Sequence, residues 1–287
     1  MTRRASSAAL LAILLLGATA AQGPAQGAAQ RTATARELRV CADPNNLPFS
    51  NDKGEGFENK IVALIAKDLD ATVTYTWWAQ RRGFVRNTLK SGMCDLWPGV
   101  AAGLGILETT TPYYRSSYVF LTRADRHLDI VSFDDPRLKT LLVGVQMIGN
   151  DAQNTPPAHA LARRGITGNV RGYMLYGDYT QPNPPAAIVG AVARGDIDVA
   201  VVWGPLAGYF AAEEPVKLTL TPVEPQRDGP QWPMAFYISM GVRRDDPAFE
   251  RDIDRALQRE QPAIAGILAD YHVPVTPDAS LGVISGR

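Results

Sequence analysis

The sequence predicts an α/β protein of two similar lobes, each a mostly parallel sheet flanked by helices, with two chain segments joining them as a hinge. From position 37 onward, short β-rich runs alternate with amphipathic helical runs, which is typical of parallel strands with crossover helices. This alternation occurs twice, and two helical runs with no strand between them follow it. A single doubly wound sheet is the alternative that these patterns leave open.

The first passage is predicted as three strands separated by two helices: strands at 37–42, 72–77 and 94–97, and helices at 56–69 and 83–90. In the longer helix, Phe57, Ile61 and Leu64 belong to an apolar stripe at 3.6-residue spacing. Pro98 and Gly99 are expected to stop the third strand, because both residue types commonly end regular structure.

The second passage repeats this order, with strands at 141–145, 170–175 and 198–202 and helices at 157–164 and 185–194. In both passages a Gly-x-x-Asp pattern leads into a strand run with a Trp near its end, from Gly92 to Trp97 and from Gly195 to Trp203. Each glycine is placed to end a helix in the left-handed conformation. The repetition favours one lobe built twice.

Two further β-rich runs, at 117–121 and 235–240, are expected to lie where the chain crosses between the lobes. Helices predicted at 247–259 and 262–271 have no partner strands nearby, so we expect them to pack on the first lobe. The predicted limits are 37–122 with 235–275 for lobe 1, 123–234 for lobe 2, and 276–287 for a C-terminal tail. Ligands of open α/β sheets bind at the carboxyl ends of strands, which predicts a cleft between the lobes.

Positions 1–20 are predicted to be a secretory signal peptide. Arg3 and Arg4 precede an apolar run from Ala8 to Leu16, and small residues follow up to Ala20, near which cleavage is expected. The run is shorter than the roughly 20 apolar residues that span a bilayer. Positions 21–36, rich in Gly, Ala and Gln, are predicted to be a flexible tether. The mature chain is therefore expected to be exported and not to span the membrane.

Export decides how the two cysteines are interpreted. Cys41 and Cys94 would lie in an oxidising compartment, where a pair more often forms a disulfide than a metal site. With three scattered His residues and no Cys-x-x-Cys, structural zinc is not supported. We expect a Cys41–Cys94 disulfide, and two small buried thiols are the alternative.

Composition and motifs exclude several functions. A hydrophobic fraction of 46% is too high for a disordered chain. The 29 basic residues are balanced by 29 acidic residues, so the clustered basic surplus that nucleic acid requires is not expected. The sequence lacks a G-x-S-x-G elbow, a Walker loop and an H-E-x-x-H pair. An EF-hand calcium loop starting at Asp43 fails, because Pro48 stands where glycine is needed.

Several strings in the chain carry a family resemblance. They are CADPNNLPFSN at 41–51, GFENKI at 56–61, YTWWAQRRGFVRNTL at 75–89 and TPYYRSSYVFLTR at 111–123. In order and content the chain resembles the type II periplasmic binding protein superfamily, in its solute-binding family three form, and it is most similar to the MoxJ/XoxJ-type proteins. The resemblance implies a periplasmic location, a non-catalytic protein with no cofactor, and an accessory role for a pyrroloquinoline-quinone-dependent alcohol or methanol dehydrogenase as its partner. The alternative is the receptor of an ABC transporter for a small, largely uncharged solute.

The chain departs from amino-acid-binding members of that superfamily at two anchors. Those members carry an Arg shortly before the TPY turn, where it forks onto the ligand carboxylate, but this chain has AAGLGILE at 101–108. They also carry an Asp for the ligand ammonium at about the position of Trp203. A free amino acid is therefore not expected as ligand. Relatives that are enzymes need an acid in the cleft, and Glu58, Glu108 and Asp43 are candidates with no partner in the sequence.

Aromatic residues near the predicted strand ends are expected to line the cleft, as an apolar ligand pocket or as a docking surface for a protein segment. Burial in the core is the alternative, above all for Trp77. The candidate cleft residues are Asp43, Asn46, Phe49, Trp78, Arg81, Arg82, Trp97, Tyr113, Tyr114, Arg115, Gln146 and Trp203.

Overall fold

A computed structural model describes residues 36–148, 154–175 and 179–276 of the chain. These residues belong to one compact unit. The predicted signal peptide, the tether up to position 35 and the tail from position 277 lie outside the described residues. Among the residues described, no helix is both long and apolar enough to cross a bilayer.

The strands are β1 (Arg36–Ala42), β2 (Asn45–Asn46), β3 (Ser50–Asn51), β4 (Ala71–Trp77), β5 (Leu96–Ala101), β6 (Glu108–Thr109), β7 (Tyr114–Arg123), β8 (Val143–Met147), β9 (Val170–Met174), β10 (Val199–Trp203), β11 (Leu218–Pro222), β12 (Arg227–Asp228), β13 (Trp232–Pro233) and β14 (Ala235–Val242). The α-helices are α1 (Phe57–Asp68), α2 (Phe84–Asn87), α3 (Pro156–Arg163), α4 (Ala187–Arg194), α5 (Gly204–Glu213), α6 (Pro247–Arg259) and α7 (Gln261–Asp270). Single 3-10 turns occur at Ala124–Arg126, Pro136–Lys139 and Pro184–Ala186.

Each half of the molecule contains three parallel strands, as the alternating pattern predicts. In the first half β1 lies between β4 and β5 and pairs with both in parallel. In the second half β8 lies between β9 and β10, again in parallel. Antiparallel strands β14 and β7 complete the inner edges, so the two-lobed α/β fold is confirmed.

The two segments that cross between the lobes are hydrogen-bonded to each other. Ala235 to Ile238 of β14 pair with Ser117 to Tyr114 of β7. From Tyr118 onward β7 pairs with β10, and from Val119 onward it also pairs with β11. The two sheets are therefore joined through β7 and β14 in the order β4-β1-β5-β14-β7-β10-β8-β9. The lobe limits expected from the sequence stay a prediction.

The C-terminal helices pack on the first half, as expected. Ile253 and Leu257 of α6 and Ile264 of α7 are buried in one apolar cluster with Ile61 and Ile65 of α1. Two other clusters cover opposite faces of the β7, β8 and β10 region, one of them beneath α4 and α5.

Cys41 and Cys94 form the predicted disulfide, with their Cα atoms 5.5 Å apart. Both residues are buried in a small cluster with Phe84 and Leu89. The bridge joins the end of β1 to the loop that precedes β5.

Several elements differ from the sequence prediction, among them strand β11, which was not predicted. Strand β5 does not stop at Pro98 but continues to Ala101, because it has already separated from β1 and because the facing strand β14 shifts register between Ser239 and Gly241. The predicted helix 83–90 is regular only over the four residues of α2. Helix α5 was not predicted, although Pro205 near its start is a common helix-initiating position.

Candidate binding cleft

A cavity of about 370 Å³ lies where the two halves meet. The first half contributes the loop after β1, the start of α1 and parts of β5 and β14. The second half contributes Gln146 in β8, Trp203 at the end of β10 and Leu206 in α5. The carboxyl ends of parallel strands from both halves thus converge on one site, as the fold predicts. The volume is that of a pocket for a small molecule or for a few side chains.

Three aromatic side chains form a contiguous wall of the cavity. The ring centroids of Tyr118 and Trp203 are 5.4 Å apart, and those of Trp203 and Phe236 are 5.8 Å apart, both in edge-to-face geometry. The ring centroids of Tyr118 and Phe236 are 6.5 Å apart, also in edge-to-face geometry. Burial raises the pKa of the Tyr118 hydroxyl, so this wall is uncharged at neutral pH. Phe49, Tyr114 and Tyr179 complete the aromatic lining.

Two carboxyl groups lie on the lining. Asp43 is 1% exposed, and its oxygens accept hydrogen bonds from the backbone N–H groups of Asn45 at 2.9 Å and Gln80 at 2.7 Å. It also accepts a hydrogen bond from the hydroxyl of Tyr179. Asp43 therefore has a structural explanation, since it orders the loop that follows β1.

Glu58, the second carboxyl group, is different. It is 4% exposed, and among the described residues none donates a hydrogen bond or presents a positive charge to its carboxyl group. Burial raises its pKa from 4.5 to about 8. Glu58 is the second residue of α1, and its side chain lies against Gly99 of β5. A Cβ atom at position 99 would stand 1.9 Å from Glu58 Oε1, so any other residue there would require this carboxyl group to move.

Contacts across the cleft close one side of the cavity. Tyr179 bonds to Asp43, and the Asn45 amide donates to the Gln181 carbonyl at 3.0 Å. The guanidinium of Arg81 lies 4.7 Å from the centre of the Tyr179 ring. A segment of the second half is thus held against the loop after β1 by polar contacts.

Half of the candidate cleft residues line this cavity: Asp43, Asn46, Phe49, Tyr114, Gln146 and Trp203. Gln146 is 3% exposed and accepts a hydrogen bond from the Trp203 backbone N–H at 3.2 Å, which fixes the end of β10. Asn46 donates to the Gln80 side chain at 3.1 Å.

The structure does not bring the other six candidates to the cavity. Trp97 packs on Phe84 with ring centroids 5.0 Å apart, and the hydroxyl of buried Tyr113 donates to the Pro98 carbonyl at 2.9 Å. Arg115 donates to the Gln226 side chain and lies over the Tyr237 ring.

Trp78, Arg81 and Arg82 are the remaining three, and all of them are exposed. Trp78 is 41% exposed, directly after β4. Trp77, for which core packing was the alternative, is half-buried and stacks on Tyr75 at 4.4 Å. A partner-binding role for the exposed residues stays a prediction.

Sequence reasoning missed several lining residues, namely Glu58, Tyr118, Tyr179, Leu206 and Phe236. Glu58 was considered only as a candidate acid without a partner. A usable signal existed for Tyr118 and Phe236, because both stand in the strands predicted to cross between the lobes. Groups of three or more His, Cys, Asp or Glu side chains able to hold a metal ion do not occur in the part of the chain that the structure describes.

Joined sheets with a cavity between their strand ends define a two-lobed binding protein of the type II periplasmic class. No protein-family model matches the chain. MoxJ of Methylorubrum extorquens is 35% identical over 296 residues, covering 96% of this chain and 96% of that protein. MoxJ of Paracoccus denitrificans is 32% identical, covering 84% of this chain and 90% of that protein.

Solved structures agree with these relatives. The crystal structure of the periplasmic binding protein XoxJ from Methylobacterium extorquens AM1 superposes with a TM-score of 0.68 at 36% identity, covering 84% of this chain and all of that one. MxaJ from Methlophaga aminisulfidivorans MPT gives a TM-score of 0.70 at 27% identity, covering 83% of this chain and all of that one. The chain therefore belongs to the MoxJ/XoxJ family of periplasmic binding proteins.

Proposed function

We propose that this protein is an exported, non-catalytic accessory protein of a periplasmic quinoprotein alcohol or methanol dehydrogenase, and that its cleft holds a segment of that enzyme or an apolar ligand. The observation that carries the proposal is the aromatic cavity, whose described lining contains no Lys, Arg or His. Kinship with MoxJ and XoxJ supports the choice of partner. Export would remove the signal peptide by cleavage near Ala20 and leave the mature protein in the periplasm.

The cavity suits an aromatic or aliphatic anchor of a partner. Hot spots of protein interfaces are enriched in Trp, Tyr and Arg side chains that fill desolvated pockets. Here the Trp203 ring packs against Tyr118 and Phe236, and the Trp203 backbone N–H donates a hydrogen bond to Gln146. A fixed ring loses little conformational freedom on binding, which favours affinity.

The deciding measurement is a titration of the purified dehydrogenase with wild-type protein, Trp203→Ala and a control. Trp232→Ala is a matched control, because Trp232 is also half-buried and stacks on an aromatic ring, that of His159, but does not line the cavity. We expect Trp203→Ala to weaken binding by about tenfold to a hundredfold, the range of an interface hot spot. Equal binding by all three proteins would show that the cleft is not the docking site.

A second function, that of a transport receptor closing over a small solute, is favoured by the contacts across the cleft between Tyr179 and Asp43 and between Asn45 and Gln181. Receptors of this kind close around their ligand by a hinge movement. Small-angle scattering with candidate solutes tests it, and an unchanged radius of gyration with every solute would count against transport.

A further inference from the structure

Glu58 is a buried carboxyl group that the packing of the protein does not explain. Buried charges in proteins are normally paired, and buried carboxyl groups are normally hydrogen-bonded. Glu58 has neither kind of partner among the described residues, although it is 4% exposed and lies on the lining of the cavity. The unpaired carboxyl group therefore indicates that a chemical group of a ligand enters the cavity and pairs with Glu58.

The surroundings of Glu58 indicate the charge of that group. The described lining holds two carboxyl groups and no basic side chain, so a carboxylate or phosphate ligand would find no counter-ion. Hard metal ions need six or more oxygen ligands or a close cluster of acidic and imidazole groups, which the described residues do not offer. The aromatic wall of Tyr118, Trp203 and Phe236 instead supplies ring faces, which attract organic cations.

We propose that the cavity binds an ammonium group, with Glu58 as its counter-ion and the rings of Trp203 and its neighbours as a cation-binding wall. The inference rests on the proposed binding function of the cleft and specifies the ligand of that same site. The ammonium group would belong either to a small alkylammonium ion or to a lysine side chain of a partner segment. Gly99 is the positioning residue, because its missing side chain lets the carboxyl group lie against β5.

Proton release accompanies such binding. The titratable groups that face Glu58 are Tyr75 of β4, Tyr113 just before β7, Tyr114 at the start of β7, and Asp43 across the cavity. Burial raises the pKa of all three tyrosines above 10, so they stay neutral. Because burial raises the pKa of Glu58 to about 8, an ammonium group must displace its proton at lower pH. Affinity should therefore rise with pH up to about 8, by at most about tenfold per pH unit, and then level off.

The experiment is a calorimetric titration of the purified protein at pH 6.5, 7.5 and 8.5 with two pairs of probes. The first pair is n-butylammonium chloride and 1-butanol. The second is the N-acetyl methylamide of lysine and that of norleucine. We expect each ammonium probe to bind at least tenfold more tightly than its neutral counterpart. The tighter of the two ammonium probes shows whether a free amine or a protein lysine is the better source.

Variants complete the test. Glu58→Gln should lose most of the preference for ammonium and its pH dependence, whereas Glu108→Gln, at an exposed residue outside the cavity, should retain both. The inference is overturned if neutral probes bind as tightly, if affinity falls as pH rises, or if no probe binds. Capture of the dehydrogenase, measured on the same samples, separates the two proposals. Capture without ammonium binding overturns only this inference, and ammonium binding without capture overturns only the partner.

Discussion

Trp97 and Trp203 follow the same Gly-x-x-Asp pattern in the two halves of the chain, yet they occupy different environments. Trp97 packs on Phe84 beside the disulfide, and its indole N–H is buried without a hydrogen-bond partner among the described residues. Trp203 lines the cavity between the lobes. The patterns are equivalent in sequence but not in the environment that they give to the tryptophan ring.

The length of each strand explains the difference. Strand β10 ends at Trp203, and α5 starts at the next residue, so the ring stands at the edge of the sheet where ligands bind. Strand β5 continues for four residues beyond Trp97, to Ala101, and places Gly99 and Ala101 on the cavity instead. A duplicated pattern therefore places one ring beside the disulfide and one on the cavity between the lobes.

Removal of the disulfide, which lies beside Trp97, is expected to have the largest effect on stability. In the double variant Cys41→Ala/Cys94→Ala we expect the free energy of unfolding to fall by about 4 kcal/mol, because the bridge closes a loop of 53 residues. Urea denaturation measures it, with oxidised and reduced wild type as controls. A loss under about 1 kcal/mol would mean that the core around Trp97 does not depend on the bridge.

The two tryptophans themselves sharpen the comparison. Trp97→Ala should lower the free energy of unfolding by about 3 kcal/mol, since it leaves a cavity beside Phe84. Trp203→Ala should lower it by a similar amount, because that ring is also half-buried and also borders a pocket, but only this variant should weaken partner binding. Urea denaturation of both variants beside a binding titration distinguishes them. Equally weakened binding by Trp97→Ala would contradict the assignment of the cleft to Trp203.

Glu58 provides a pH test of the Trp203 region. Its pKa is about 8 in the folded protein and near 4.5 when exposed, so the folded state holds the extra proton between these values. Stability should therefore fall as pH rises from about 4.5 to 8, by at most about 1.4 kcal/mol per pH unit. Unfolding curves at pH 5, 6, 7 and 8 measure this slope, and Glu58→Gln should flatten it. An identical slope in the variant would show that another group titrates.

The smallest expected effect concerns the contact that closes the cavity. Tyr179→Phe removes the hydroxyl that donates to Asp43 and should destabilise the closed cleft by about 1 kcal/mol. Hydrogen exchange of the backbone amides of Asn45 and Gln80, which bond to Asp43, should become about fivefold faster. Unchanged exchange would indicate that these amides are protected without Tyr179.

Much of the fold follows from local pattern. Helix α6 has the predicted bounds, because Pro247 starts it and its apolar stripe keeps helical spacing. Helix α5 was missed because Gly204 and Pro205 look like a stop signal, whereas proline at the start of a helix costs no hydrogen bond. Strand β5 continues past Pro98 because β1 no longer pairs with it there and because β14 shifts its register opposite that stretch. Both features depend on tertiary structure and cannot be predicted from the local sequence.

The site was less accessible to sequence reasoning. Trp203 was predicted because it lies next to a predicted strand end. Tyr118 and Phe236 meet only because β7 and β14 pair, a register that separate segments of sequence do not specify. Glu58 looks like an ordinary acidic residue in the first turn of a helix, where negative charge is favourable. Its isolation arises from the residues packed around it.

The ladder between β7 and β14 also determines how the protein can move. Residues 114–117 and 235–238 are bonded edge to edge, and Tyr118 and Phe236 of the cavity wall belong to these same strands. Any change in the angle between the lobes must twist this shared ribbon, and we expect it to move Phe236 relative to Trp203, which is paired with Tyr118 in the sheet of the second half. Contact with a ligand and bending of the backbone are therefore expected to be coupled in this protein.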